Sequence, residues 1–171
     1  PLAGGRAVVM IHGFMAAAPV FDPLRRRLAS ELGWASMAFG YPSYGSFEAT
    51  AQRLADALDR HVPASTELIL VGHSLGGMLA RWYVHELGGA ERVSRVVTIS
   101  TPHQGTRVAR LAPFGLGAAI RPGSPVISRL EAARGGPVHY AFAGAEDATV
   151  PPDSALGCPA DWKHVIEGVG H

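Results

Sequence analysis

The chain has 171 residues, 47% of them hydrophobic and 17% charged, enough for one domain, residues 1–171, with one sizeable core. With 15 Lys+Arg against 14 Asp+Glu, its net charge of +1 gives no overall attraction for nucleic acid or for an acidic membrane surface. The single cysteine, Cys158, excludes an intrachain disulfide and with it a disulfide-stapled scaffold.

In chain order, Arg6 to Ile11 is a near-continuous apolar run, the mark of a strand buried on both faces. Leu24, Leu28 and Leu32 form a stripe at i, i+4 and i+8, which predicts a helix over Phe21 to Leu32. Trp34 to Phe39 is a second short strand, closed by Gly40-Tyr41-Pro42. Ser46 reads as an N-cap, with Phe47, Ala51, Leu54, Ala55 and Leu58 on one face of the helix that follows. Glu67 to Val71 is another buried strand, and Gly76 to Leu87 is helical, packing through Leu79, Trp82 and Tyr83. Val93 to Ser100, Val138 to Ala143 and His164 to Glu167 complete six strands. Strands alternating with helices predict an α/β fold, a mainly parallel sheet with helices on both faces. Functional groups in such sheets gather at the carboxyl ends of the strands. No run approaches transmembrane length, and no basic-then-apolar signal segment leads the chain.

Gly72-His73-Ser74-Leu75-Gly76 fits G-x-S-x-G between a strand and a helix, the context that motif requires. A serine on so tight a turn takes a strained backbone, and side chains two positions either side would collide with it. Gly72 and Gly76 remove them. The helix start aims N–H groups and partial positive charge at the site, with the Leu75 N–H as the natural first donor to an oxyanion. The alternative is a glycine-rich turn with a capping serine. His12-Gly13-Phe14 follows the first strand, where the Phe14 N–H is the second candidate donor; alternatively His12 is a buried structural histidine.

A serine hydroxyl needs a base. Of eight histidines, His171 follows the last strand and the flexible Glu167-Gly168-Val169-Gly170 run. The orienting acid is expected between Ser74 and His171. Asp147, closest to the end of its strand, is preferred to Asp153, with Asp161 further on. Neither H-E-x-x-H nor clustered His/Cys spacing occurs, so no metal and no other cofactor is expected.

Together these residues resemble the α/β-hydrolase superfamily and, within it, compact bacterial lipases and esterases. The likeness spans nearly the whole chain. His12-Gly13-Phe14 resembles the oxyanion strand end, and Gly72-His73-Ser74-Leu75-Gly76-Gly77 is similar to the lipase nucleophile turn. Thr101-Pro102-His103-Gln104-Gly105-Thr106 resembles a segment following the neighbouring strand. Asp147 with Val150-Pro151, and Gly168-Val169-Gly170-His171, look like the acid and histidine loops. The resemblance implies a serine ester hydrolase with Ser74, Asp147 and His171 as triad and an oxyanion hole at Phe14 and Leu75. It implies a small-molecule or lipid ester as substrate, no nucleic acid partner and no stable membrane insertion. Secretion is compatible with it. Phe14, Met15 and Met78 are expected to bind an apolar acyl group. A thioesterase, amidase or acyltransferase with the same triad, or a non-catalytic binding module, are the alternatives. The family continues past the histidine into a helix that packs on the sheet; this chain stops at His171, so that C-terminal helix is expected to be missing. Arg107 to Arg134 is either a small flap over an acyl pocket or a loop and helix covering the sheet.

Overall fold

The computed structural model describes residues 5–112 and 114–171, so Pro1 to Gly4, at the opening of the chain, and Pro113 lie outside the described residues. Six strands form one sheet: β1 (Arg6–Ile11), β2 (Ala35–Phe39), β3 (Glu67–His73), β4 (Val93–Ile99), β5 (Val138–Gly144) and β6 (Trp162–Ile166). Their order is β2-β1-β3-β4-β5-β6 and every pairing is parallel. The expected mainly parallel sheet is thus entirely parallel, as crossover connections through helices dictate. The apolar run of β1 behaves as its composition demands: Ala7 to Ile11 are all buried. The third strand runs two residues further than its β-branched stretch, through Gly72 to His73, and delivers Ser74 beyond the sheet edge.

Two helices close one face. The first, α2 (Phe47–His61), starts where Ser46 Oγ accepts the Ala49 N–H at 3.1 Å, and buries Phe47, Ala51, Leu54, Ala55 and Leu58. The second, α3 (Leu75–Glu86), follows Ser74 directly and is buried along most of its length. A full burial of each such Leu or Phe contributes about 1.5–3 kcal/mol, so this face carries most of the core. A short helix, α4 (Leu116–Ala119), with Ile120 at its end, and a longer one, α5 (Pro125–Ala132), add Leu116, Ile120, Val126, Ile127 and Leu130 to that core. Residues 116–132, expected either as part of a flap or as a cover for the sheet, instead join the core by way of α3, the long helix that Pro125–Ala132 contacts. The 3-10 turn Arg107–Leu111 stands out from it, with Leu111 exposed, as is Phe114 beyond it.

The other face is barely covered. Helix α1 (Asp22–Leu32) forms where the leucine stripe predicts, but buries none of its residues, and Leu24 and Leu32 are exposed. It packs against the edge strand β2, not over the middle of the sheet. Val8, Ile69, Val71, Val97 and Ile99 consequently line an apolar groove of about 450 Å³, with Leu28 on its wall. No described helix is long and apolar enough to cross a membrane.

Candidate active site

The site lies at the carboxyl ends of β1, β3, β4 and β5, where a parallel sheet presents its loops. Ser74 joins β3 to α3 with φ 52° and ψ −124°, a left-handed conformation that costs a non-glycine residue about 1–3 kcal/mol. The surroundings hold it there: Ser74 N–H donates to the Ile99 carbonyl at 2.8 Å, and the Ser74 carbonyl accepts the Gly77 N–H at 3.1 Å. The glycines around it are required by space. A Cβ on Gly72 would strike the Gly77 backbone, one on Gly76 the Ile11 carbonyl, and one on Gly77 the Thr101 side chain. A Cβ on Gly13 would come within 2.9 Å of the Ser74 Cβ, so the first and third strand ends touch at the serine itself.

His171 bridges serine and acid. Its Nε2 lies 3.1 Å from Ser74 Oγ and its Nδ1 2.8 Å from Asp147 Oδ2. The Asp147 side chain is wholly buried, and its second oxygen accepts the Thr149 and Val150 N–H groups at 2.9 and 2.8 Å. Burial pushes this carboxyl up, but hydrogen bonds from the Val150 N–H, His171 and Ser100 outweigh it and hold the group below its usual range. An ionised carboxylate on Nδ1 fixes the tautomer that leaves Nε2 free to accept the serine proton. Asp153 sits exposed on a short helix, and Asp161 accepts the His139 N–H at 2.8 Å; neither faces His171 through a hydrogen bond.

Neither the Phe14 N–H nor the Leu75 N–H is engaged in a hydrogen bond among the described residues. Both flank Ser74: Leu75 follows it, and Phe14 follows the touching Gly13. His12 is structural. It is buried and stacked on Tyr41 at 4.1 Å, its Nδ1 bonds the Gly13 carbonyl at 2.8 Å, and its Nε2 accepts the Tyr41 N–H at 3.3 Å. That triple hold shapes the turn carrying Phe14. Among the side chains expected at the substrate, Phe14 is half-buried against the core and Met15 is exposed, with φ 58°. Met78 departs from expectation. It is fully enclosed in the core beneath α3, because i+4 from Ser74 turns it toward the sheet.

Two residues at the site, His73 and Ser100, and one in the interior, Arg81, had no role in the sequence reading. His73, 4.8 Å from the His171 ring, is lowered to about 4 by burial first and by His171 second, so it stays neutral beside the base. Ser100, at φ 46° immediately after β4, helps to lower the Asp147 carboxyl. Arg81 heads a buried chain: its Nη1 donates to His103 Nδ1 at 3.1 Å, His103 Nε2 lies 3.1 Å from Thr98 Oγ1, and Thr98 Oγ1 lies 2.9 Å from His139 Nε2. The guanidinium makes Nδ1 of His103 an acceptor, so Nε2 carries the proton to Thr98, whose hydroxyl passes its own to His139. Periodicity hides these groups, since only the fold brings α3, β4 and β5 together.

Among the described residues, His103, His139 and Cys158 are the one group with buried metal-ligating atoms, all within 4.8 Å of one another. Their environment opposes a cation. Arg81 already donates to His103, and a buried guanidinium adjoins any dication placed there.

A family model described as a PGAP1-like alpha/beta domain matches residues 47–112. No curated protein sequence matches the chain. Solved structures do. A Bacillus licheniformis lipase in its mature form is 15% identical with a TM-score of 0.75, over 95% of this chain and 83% of that one. An α/β-hydrolase enzyme from the metagenome of lagoon sediments at Mar Chica, Morocco, is 20% identical with a TM-score of 0.74, over 98% and 83%. A monoacylglycerol lipase of Paleococcus ferrophilus is 15% identical with a TM-score of 0.69, over 96% and 85%. With its parallel six-stranded sheet and a strained serine between β3 and α3, the chain has the α/β-hydrolase fold.

Proposed function

We propose that this protein is a serine carboxylic-ester hydrolase that works through an acyl-enzyme. The observation that carries the reading is the hydrogen-bonded run Asp147–His171–Ser74, ending on a serine held at φ 52°. Ser74 Oγ attacks the ester carbonyl carbon as His171 Nε2 takes its proton, giving a tetrahedral oxyanion. The free Phe14 and Leu75 N–H groups receive that oxyanion, and removal of one such donor in a site of this kind costs about 10²–10³ in rate. His171 then protonates the departing alkoxide. Water, deprotonated by the same nitrogen, attacks the acyl-enzyme and releases the acid and Ser74. Asp147 stays ionised throughout and stabilises the imidazolium.

The ester as scissile group is supported by the lipases among the structural relatives and by the apolar side chains at the mouth, Phe14 and Met15. A p-nitrophenyl ester series of rising acyl length tests it. Hydrolysis is expected in the wild type and a loss of about 10³-fold or more in Ser74→Ala. Equal rates in the two proteins would refute the reading.

A further inference from the structure

Arg81 carries a charge for which the chain supplies no opposite charge. It projects from α3 into the interior and is 3% exposed. A guanidinium stays ionised at any ordinary pH, and burying one alone is costly. Yet among the described residues Arg81 forms no ion pair. The Cys158 sulfur does not substitute for a carboxylate, because burial raises the thiol and keeps it protonated. Burial first, and the Arg134 guanidinium after it, pull Arg81 below its ordinary range.

Its hydrogen bonding is also incomplete. Two of its five N–H donors are used, on His103 Nδ1 at 3.1 Å and on the Leu130 carbonyl at 2.8 Å; the others meet no acceptor among the described residues. His139, 7% exposed, repeats the pattern. The relay from Arg81 through His103 and Thr98 ends on its Nε2, so the imidazole proton sits on Nδ1. That N–H has no acceptor among the described residues either.

Both side chains line one cavity of about 150 Å³, bounded by α3, the start of β5, and the loops that precede β5 and β6. It lies at the amino ends of β5 and β6, whereas Ser74 lies at the carboxyl ends of the sheet. Between the polar groups its walls are apolar: Val84, Val96, Pro137 and Pro159. His85, also on the lining, is lowered by burial first and by Arg81 second, so it adds no charge. Asp161 is the one carboxylate on the lining; it is exposed at the rim, and its Oδ2 accepts the His139 backbone N–H at 2.8 Å.

The charge that opposes a dication beside His103 and His139 favours an anion here. A planar carboxylate matches the fork of guanidinium N–H groups, and the His139 Nδ1–H is a further donor. The volume suits a short chain against the apolar walls, not a drug-sized ligand. We propose that this cavity binds a short-chain carboxylate, whose head group supplies the opposite charge to Arg81 and whose tail lies against Val84 and Val96. The site is separate from the Ser74 mouth and does not depend on the ester-hydrolase reading.

Thermal unfolding of the full chain at pH 7 with sodium acetate, propionate or butyrate, against sodium chloride and phosphate at matched ionic strength, tests it, with the His139 imidazole followed by NMR. Saturable stabilisation is expected, growing from acetate to butyrate, with the His139 signals shifting along the same curve. Arg81→Met should weaken the apparent Kd about tenfold or more. Asp161→Asn removes a like charge at the rim, keeps an acceptor for the His139 N–H, and should tighten binding about twofold. If Arg81→Met melts too low to titrate, Ala133→Leu, which fills the cavity from its edge, carries the same expected loss. Absence of saturable binding would overturn the site. So would binding that survives Arg81→Met or Ala133→Leu unchanged, the result for an acid lodged at Ser74 instead. Chloride or phosphate binding as tightly as butyrate would overturn the carboxylate assignment.

Discussion

Two histidine networks share this sheet and differ in the sign of the charge that holds them. In one, Asp147 grips His171 at 2.8 Å and the far nitrogen meets a serine hydroxyl at the open edge. In the other, Arg81 grips His103 at 3.1 Å, and the far nitrogen meets a threonine hydroxyl that is itself bonded to His139 and sealed in the interior. Both are imidazole–hydroxyl pairs. A carboxylate on Nδ1 leaves Nε2 as the nitrogen that faces the Ser74 hydroxyl. In the second network a guanidinium partner and burial oppose protonation: burial lowers His103 well below its usual value, Arg81 lowers it further, and the same two causes bring His139 to about 4. On the proposed reading the first network moves a proton, whereas burial and Arg81 keep the second neutral.

The largest effect is expected from breaking the first network at its acid. Asp147→Asn presents an amide to Nδ1 and removes the charge that stabilises the imidazolium, so kcat should fall by about 10⁴ while the fold persists. Steady-state ester hydrolysis measures this, with the circular dichroism spectrum as control.

Acid should instead act on stability through buried neutral histidines, His139 in the second network and His73 beside His171. His73 and His139 titrate in the fold near 4, against an ordinary 6.5. Between those values the unfolded chain binds protons that the folded chain refuses. Stability therefore rises with pH across that window, by roughly 1.4 kcal/mol per unit for each histidine at most, and the contribution is level above it. Urea unfolding from pH 4 to 8 should show this slope.

Replacing the cation is a smaller perturbation. Arg81→Met strips the His103 Nδ1 and the Leu130 carbonyl of their donor, at a cost of about 1–3 kcal/mol in unfolding free energy. It should leave kcat unchanged well below the melting temperature and reduce the acid sensitivity, since His103 and His139 then protonate more readily. Asp153→Asn should do nothing measurable to the hydrolysis rate. If it abolished activity and Asp147→Asn did not, the acid would be misassigned.

Much of the first network was legible because it is written in loops that directly follow strands. Ser74 lies in a five-residue pattern whose glycines answer to steric need, and Asp147 and His171 stand at consecutive strand ends. The six strands were legible from short, largely apolar runs, with boundaries shifted by one or two residues, as where Gly72 and His73 extend β3 and Trp162 opens β6 early. The second network was not legible. Arg81 sits 22 residues from His103 and 49 from Leu130, and nothing in a helical pattern says that a charged residue points inward. The stripe of α1 misled for a related reason. Leu24 and Leu32 have helical spacing, but α1 covers only the sheet edge, so spacing signalled a helix without signalling burial. Met78 shows the converse, a residue near the serine in sequence whose helical phase carries it into the core.

The central claim is that Ser74 is an activated nucleophile, and a fluorophosphonate probe followed by intact mass tests it most directly. The account predicts one adduct on the folded wild type, located at Ser74, none on Ser74→Ala, and slow labelling of Asp147→Asn. A folded wild type that stays unlabelled, or labelling that persists unchanged in Ser74→Ala, would contradict it.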